Sequence, residues 1–190
     1  MFIQTEQTPN PASLKFLPGC EVMIAGTAEF TDEGKAAAAS PLAARLFKID
    51  GVAGVFLGSD FVTITKSDAA SWAQLKPLLL GVIMEHFTTG QPVMNDEHLH
   101  HADHAAHSTA HEDDNEVVRQ IKELLDTRIR PAVAADGGDI VFSSFEDGIV
   151  YLQMRGACAG CPSSTATLKT GIENLLRHFI PEVTEVRPTN

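Results

Sequence analysis

The residues best suited to chemistry are Cys158 and Cys161, in the stretch Gly156-Ala157-Cys158-Ala159-Gly160-Cys161-Pro162-Ser163-Ser164. Sulfurs at i and i+3 can converge on one small target, but a tetrahedral metal or an iron–sulfur cluster requires four ligands. The third cysteine, Cys20, is remote in sequence and follows Pro18-Gly19 in a segment that reads as a loop. It is read as incidental. Three chemistries are open to the pair: a thioredoxin-like dithiol, half of a zinc site, or half of an iron–sulfur site completed by an identical chain. Twofold symmetry makes the last a natural arrangement, since each residue then meets its own copy across the axis, but a bare CxxC leaves the three undecided.

A second group of metal-capable side chains is His98, His100, His101, His104, His107 and His111, six of the eight histidines. They lie within residues 95–115, which hold six acidic residues, no basic one and a single large apolar side chain, Leu99. Such a segment buries too little surface to offset the entropy of ordering, so it is read as a disordered acidic, His-rich linker. Metal capture by neutral imidazoles is the functional alternative to a solvated spacer. As a flexible coil it would reach roughly 25 Å.

The elements that must position the cysteines follow from periodicity. Residues 116–133 carry Val117, Ile121, Leu124, Leu125 and Ile129 on one helical face. Gly137-Gly138 then interrupts the chain, and two β-rich runs flank Asp147-Gly148, the signature of a hairpin with a type I′ turn. The cysteines follow the second strand. Pro162 suits the first position of a helix that displays Leu168, Ile172, Leu175, Leu176 and Phe179. On that reading Cys161 caps the helix, whose positive end would lower the thiol pKa values. "VTEVRP" closes an αββαβ unit as an edge strand. The dithiol reading sits poorly with this order, which lacks the βαβ pattern around a redox CxxC.

Ahead of the linker, Phe2–Thr5 and Leu14–Phe16 read as strands joined by the turn "TPNP". Ser40-Pro41 reads as the cap and first residue of a helix. "GVAGVFLG" and "DFVTITK" read as a hairpin across Ser59-Asp60. Ser71 opens a second helix, with a kink or a later start expected from Pro77. His86, without a paired acid or nucleophile, is read as structural. The fold class is therefore α/β (α+β): two small domains, 1–94 and 116–190, joined by the linker 95–115.

Composition excludes several classes. A formal net charge of −11 with no basic stripe argues against nucleic acid. No apolar run approaches the ~18 residues that span a membrane. The first residues, "MFIQTEQTPNPASLKF", lack both a basic-then-apolar secretory signal and an Arg-rich amphipathic one, so a cytoplasmic, thiol-reducing setting is expected.

Two stretches carry a family resemblance. "DGGDIVFSSFEDGIVYLQMRGACAGCPSSTATLK" resembles the C-terminal domain of the Nfu/NifU-like iron–sulfur carriers. "FIQTEQTPNPASLKFLPG" and "SPLAARLFKIDGVAGVFLGSDFVTITK" resemble the N-terminal domain of the Nfu proteins. The resemblance implies a non-enzymatic scaffold or carrier that holds a [4Fe–4S] cluster between two subunits. Its ligands carry over onto Cys158 and Cys161. The implied partners are an upstream cluster-assembly scaffold, a second copy of the chain when loaded, and apo iron–sulfur acceptors. The His-rich linker departs from the family pattern. A thiol–disulfide oxidoreductase using the same pair is the alternative from another class.

Overall fold

The computed structural model describes residues 2–95, 116–159 and 162–189. In the N-terminal domain, β1 (Gln4–Gln7) and β2 (Ser13–Leu17) form a hairpin that sets Gln4 opposite Leu17. Its turn is the "TPNP" segment: Thr8 Oγ1 donates to Asn10 O at 2.8 Å, and Asn10 Oδ1 accepts from Ala12 N at 3.0 Å. The second hairpin, β4 (Val52–Leu57) and β5 (Val62–Lys66), joins the first through β5, and β3 (Ala28–Phe30) adds to β4. The sheet order is β1-β2-β5-β4-β3, antiparallel throughout.

Three helices cover one face of this sheet: α1 (Glu33–Ala39), α2 (Pro41–Phe47) and α3 (Trp72–Thr88). Leu42, Leu46, Leu79 and Ile83 meet Phe16, Leu57 and Ile64 in one apolar core. Each such side chain contributes roughly 1.5–3 kcal/mol when fully buried. Ser40 caps α2 as expected, its Oγ accepting from Ala43 N at 3.1 Å. Helix α3 starts at Trp72 in spite of Pro77, so the later start is not found. Ser71 caps its first turn, and one missing hydrogen bond does not outweigh the burial of Leu75, Leu79 and Ile83. His86 is fully buried in this layer.

The C-terminal domain has the αββαβ order. Helix α4 (Glu116–Leu124) runs into a π turn (Leu125–Ile129) and then α5 (Arg130–Ala135). The buried positions Ile121, Leu125, Ile129 and Val133 recur every fourth residue. On an ideal α-helix that spacing drifts about 40° per step, and the wider π turn brings the last two back to the core. The turn also makes room for Pro131, which cannot donate to the helical ladder.

Strands β6 (Gly138–Glu146) and β7 (Ile149–Gly156) pair antiparallel, and β8 (Glu185–Thr189) lies parallel to β7. Asp147 and Gly148 both have positive φ, 50° and 80°, as a type I′ turn requires. Helix α6 (Pro162–Phe179) packs Ile172 and Leu176 onto the sheet. Phe179 departs from expectation. It is 45% exposed and sits under the Arg128 guanidinium, 4.9 Å from its ring centroid. Of the expected linker 95–115, residues 96–115 lie outside the described residues, and Asn95 is tied to the N-terminal domain, its backbone N donating to Ala39 O at 2.8 Å.

Candidate functional site

Cys158 sits where β7 leaves the sheet. Gly138 at the start of β6 pairs with Gly156 at the end of β7, so the segment before β6 and the cysteine segment lie side by side. Two backbone bonds fix the exit: Ala157 N to Gly137 O and Ala159 N to Gly156 O, both 3.1 Å. Gly137 and Gly156 hold φ of +81° and +63°, the left-handed region that glycine enters without strain. The Cys158 side chain lies over Gly138. A Cβ added there would fall 2.6 Å from Cys158 Sγ and 2.7 Å from Arg155 O.

Asp139 braces this corner from beneath and is 3% exposed. Its Oδ1 accepts from Arg130 Nε at 2.9 Å and from Ile140 N at 2.8 Å; its Oδ2 accepts from Arg130 Nη2 at 2.9 Å. The fork-to-fork geometry is the strong form of an ion pair. The π turn supplies Asp126, whose Oδ1 takes Arg130 Nη1 at 3.0 Å. Sequence reasoning missed Arg130 and Asp139 as supports. The only signal was an aspartate placed directly after two glycines.

Cys158 is 6% exposed, and burial, reinforced by the carboxylates of Asp136 and Asp139, pushes its thiol up to about 12. This corrects the expectation of a thiol lowered by the helix end. Helix α6 does begin at Pro162, but desolvation outweighs any dipole at the Cys158 sulfur. A cavity of about 550 Å³ opens beside the sulfur, lined by Pro9, Val133, Asp136, Leu168, Ile172 and Leu175 among others. Cys161 lies outside the described residues, as do the six linker histidines. Cys20 is half-buried in a loop and does not line this cavity. Among the described residues, no group of three or more His, Cys, Asp or Glu side chains gathers around one point, and no helix is long and apolar enough to cross a membrane.

Comparison with known proteins decides the family. Residues 3–90 match the N-terminal domain of the Nfu/NifU scaffold proteins, and residues 121–187 match the NifU-like domain. The chain belongs to the Nfu/NifU-like family. It is 53% identical over 186 residues to "NFU1 iron-sulfur cluster scaffold homolog, mitochondrial" of Drosophila persimilis, covering 98% of this chain and 64% of that protein. It is 55% identical over 185 residues to "NifU-like protein 5, mitochondrial" of Arabidopsis thaliana, covering 96% of this chain and 66% of that protein. The chain thus spans somewhat less than two thirds of the length of its fly relative.

These names correct the cytoplasmic expectation, since both Nfu/NifU relatives are named mitochondrial. That expectation rested on the character of the first residues, and because the chain spans only 64% of its fly relative's length, those residues carry no address.

Proposed function

We propose that this chain is an iron–sulfur cluster carrier that binds its cargo through Cys158 and Cys161 from each of two copies. Four thiolates then surround one [4Fe–4S] cluster, which the pair receives from an upstream scaffold and passes to apo-proteins. The observation that carries the reading is the glycine-floored seat of Cys158: a soft sulfur donor lying over Gly138 with open space beside it. The relatives' printed role as iron–sulfur cluster scaffold agrees with it.

The chain's own residues do three things in this account. Gly137, Gly138 and Gly156 let the two segments approach. Asp139 and Arg130 hold the corner rigid. Cys158 and Cys161 exchange protons for iron as thiolate bonds form. Association of two chains costs ~4–15 kcal/mol in lost freedom, so a cluster shared between them is easier to surrender than one held by four ligands in one chain. An acceptor takes it by ligand exchange, and no turnover chemistry is needed. Cys158 speaks against the oxidoreductase alternative, because burial raises its thiol pKa whereas a reactive CxxC thiol has a lowered one.

Anaerobic reconstitution with iron and sulfide tests this. Cys158→Ser and Cys161→Ser should each lose stable cluster, since one substitution deletes two of four ligands in a symmetric pair. Cys20→Ser should load normally. Ordinary cluster content in Cys158→Ser would refute the shared site.

A further inference from the structure

Strands β2 and β5 read Ser13-Leu14-Lys15-Phe16 and Val62-Thr63-Ile64-Thr65, the alternation of a sheet with one face in water. Yet Ser13, Lys15 and Thr63 are only 3%, 7% and 1% exposed, and the neighbouring Phe56 and Phe61 are 2% and 3% exposed. None of these five belongs to either apolar core. Residues 135–139 and 156–159 of the NifU-like domain lie on this face.

The contacts are specific. Lys15 Nζ donates to Ala135 O at 3.1 Å, in the last turn of α5, where a cation is favoured. Thr63 Oγ1 donates to Gly137 O at 2.8 Å, Thr27 Oγ1 to Asp139 Oδ2 at 2.9 Å, and Asn10 Nδ2 to Ala159 O at 3.3 Å. Glu29 Oε1 accepts from Gly156 N at 2.8 Å. Four of the five involve backbone atoms, and two of those, Gly156 N and Ala159 O, flank Cys158. Asn10 belongs to the "TPNP" turn, whose Pro9 also walls the cavity beside the sulfur. Two glycines fit the same approach: a Cβ at Gly137 would fall 2.9 Å from Thr63 Oγ1, and one at Gly156 would fall 2.9 Å from the Phe56 ring.

We infer that the polar face of the N-terminal sheet is a docking surface for the cysteine segment of its own chain, closed over it before loading and vacated when a second copy brings its own cysteines. The docking stands on the contacts above; the vacating rests on the shared-cluster reading. The surface suits reversible use. Beside Phe56 and Phe61, its direct bonds are made by hydroxyl, amide, ammonium and carboxylate groups, the chemistry of interfaces that open, whereas permanent ones are more apolar. It also holds residues 156–159 against the sheet, where a partner's matching segment would have to stand.

Thr63→Arg in the full chain should part the surface, because Thr63 points away from the apolar core; Thr63→Ser keeps the hydroxyl and serves as control. In cluster-free protein the Gly156 amide should exchange about tenfold faster or more, and the radius of gyration from small-angle scattering should grow. Unchanged exchange at Phe16 and Ile64 would show that the sheet remains folded. Glu29→Lys, at a half-exposed site on an edge strand, should give the same two changes without touching the sheet centre. Cluster uptake by both variants should be faster than in the parent. Unchanged exchange and scattering in both would overturn the docking. Slower uptake by an opened variant would overturn the vacating step. Opened variants in a protein that never takes up cluster would support the docking and overturn the shared-cluster reading.

Discussion

At Gly138 one hydrogen atom stands where any other residue would place a carbon against Cys158. Gly138→Ala should lower the stability of the cluster-free C-terminal domain by about 1–3 kcal/mol, the usual range for overpacking. It should also abolish cluster uptake. Parental stability by urea unfolding would show that the seat is looser than described. A second residue makes a pH prediction. His86 is fully buried, and among the described residues neither ring nitrogen has a hydrogen-bond partner. Burial, then the nearby Arg45 charge, lowers its pKa, while the backbone at Gln91 and Pro92 opposes the shift without closing a bond. The neutral ring is therefore the folded form. Its stability is fully present above the unfolded pKa of ~6.5. It is lost as pH falls below that value, by up to ~1.4 kcal/mol per pH unit, until the folded pKa is reached. Urea midpoints measured at pH 7.5 and 5.5 should fall further for the parent than for His86→Leu; equal falls would contradict this. The cysteine pair stood out in the sequence because sulfur at that spacing has few uses. The burial of Cys158 was not, since it depends on segments far away in sequence.

Among the elements, those with a strong period were legible and those without one were not. Helix α6, the β6–β7 hairpin and α3 announced themselves through apolar spacing or turn chemistry. Helix α1 did not, because Glu-Gly-Lys-Ala-Ala-Ala-Ala has no large side chain to mark a face. The capping Asp32, whose carboxylate accepts from Lys35 N at 3.0 Å, was the available signal. The π turn escaped for a different reason: a four-residue repeat of buried positions looks helical over two turns and drifts only over four. Ser40 shows an element boundary that a single residue controls. Its Oγ accepts from Ala43 N and donates to Val93 O at 2.6 Å, joining α2 to the chain after α3. Ser40→Ala removes the cap and orphans a carbonyl, and should cost about 1–3 kcal/mol. A change below about 0.5 kcal/mol in urea unfolding would show the cap to be dispensable.

For the molecule as a whole, two domains were readable from the composition break at residues 95–115, and their contact was not. Polar alternation along β2 and β5 is correct for a sheet facing water, and here that face meets a second domain instead. A polar surface that water or backbone carbonyls can satisfy equally well carries no mark of which it meets. The central claim is that one cluster is shared by two copies, and it predicts a link between assembly and metal. Light scattering after anaerobic gel filtration, with iron measured on the same fractions, reads both at once. The cluster-free protein should run mainly as a monomer. The loaded protein should run as a dimer or larger even-numbered assembly with about four iron atoms per two chains, the content of one [4Fe–4S] cluster. A loaded monomer carrying about four iron atoms would contradict the account, because its remaining ligands could not come from a second Cys158 and Cys161.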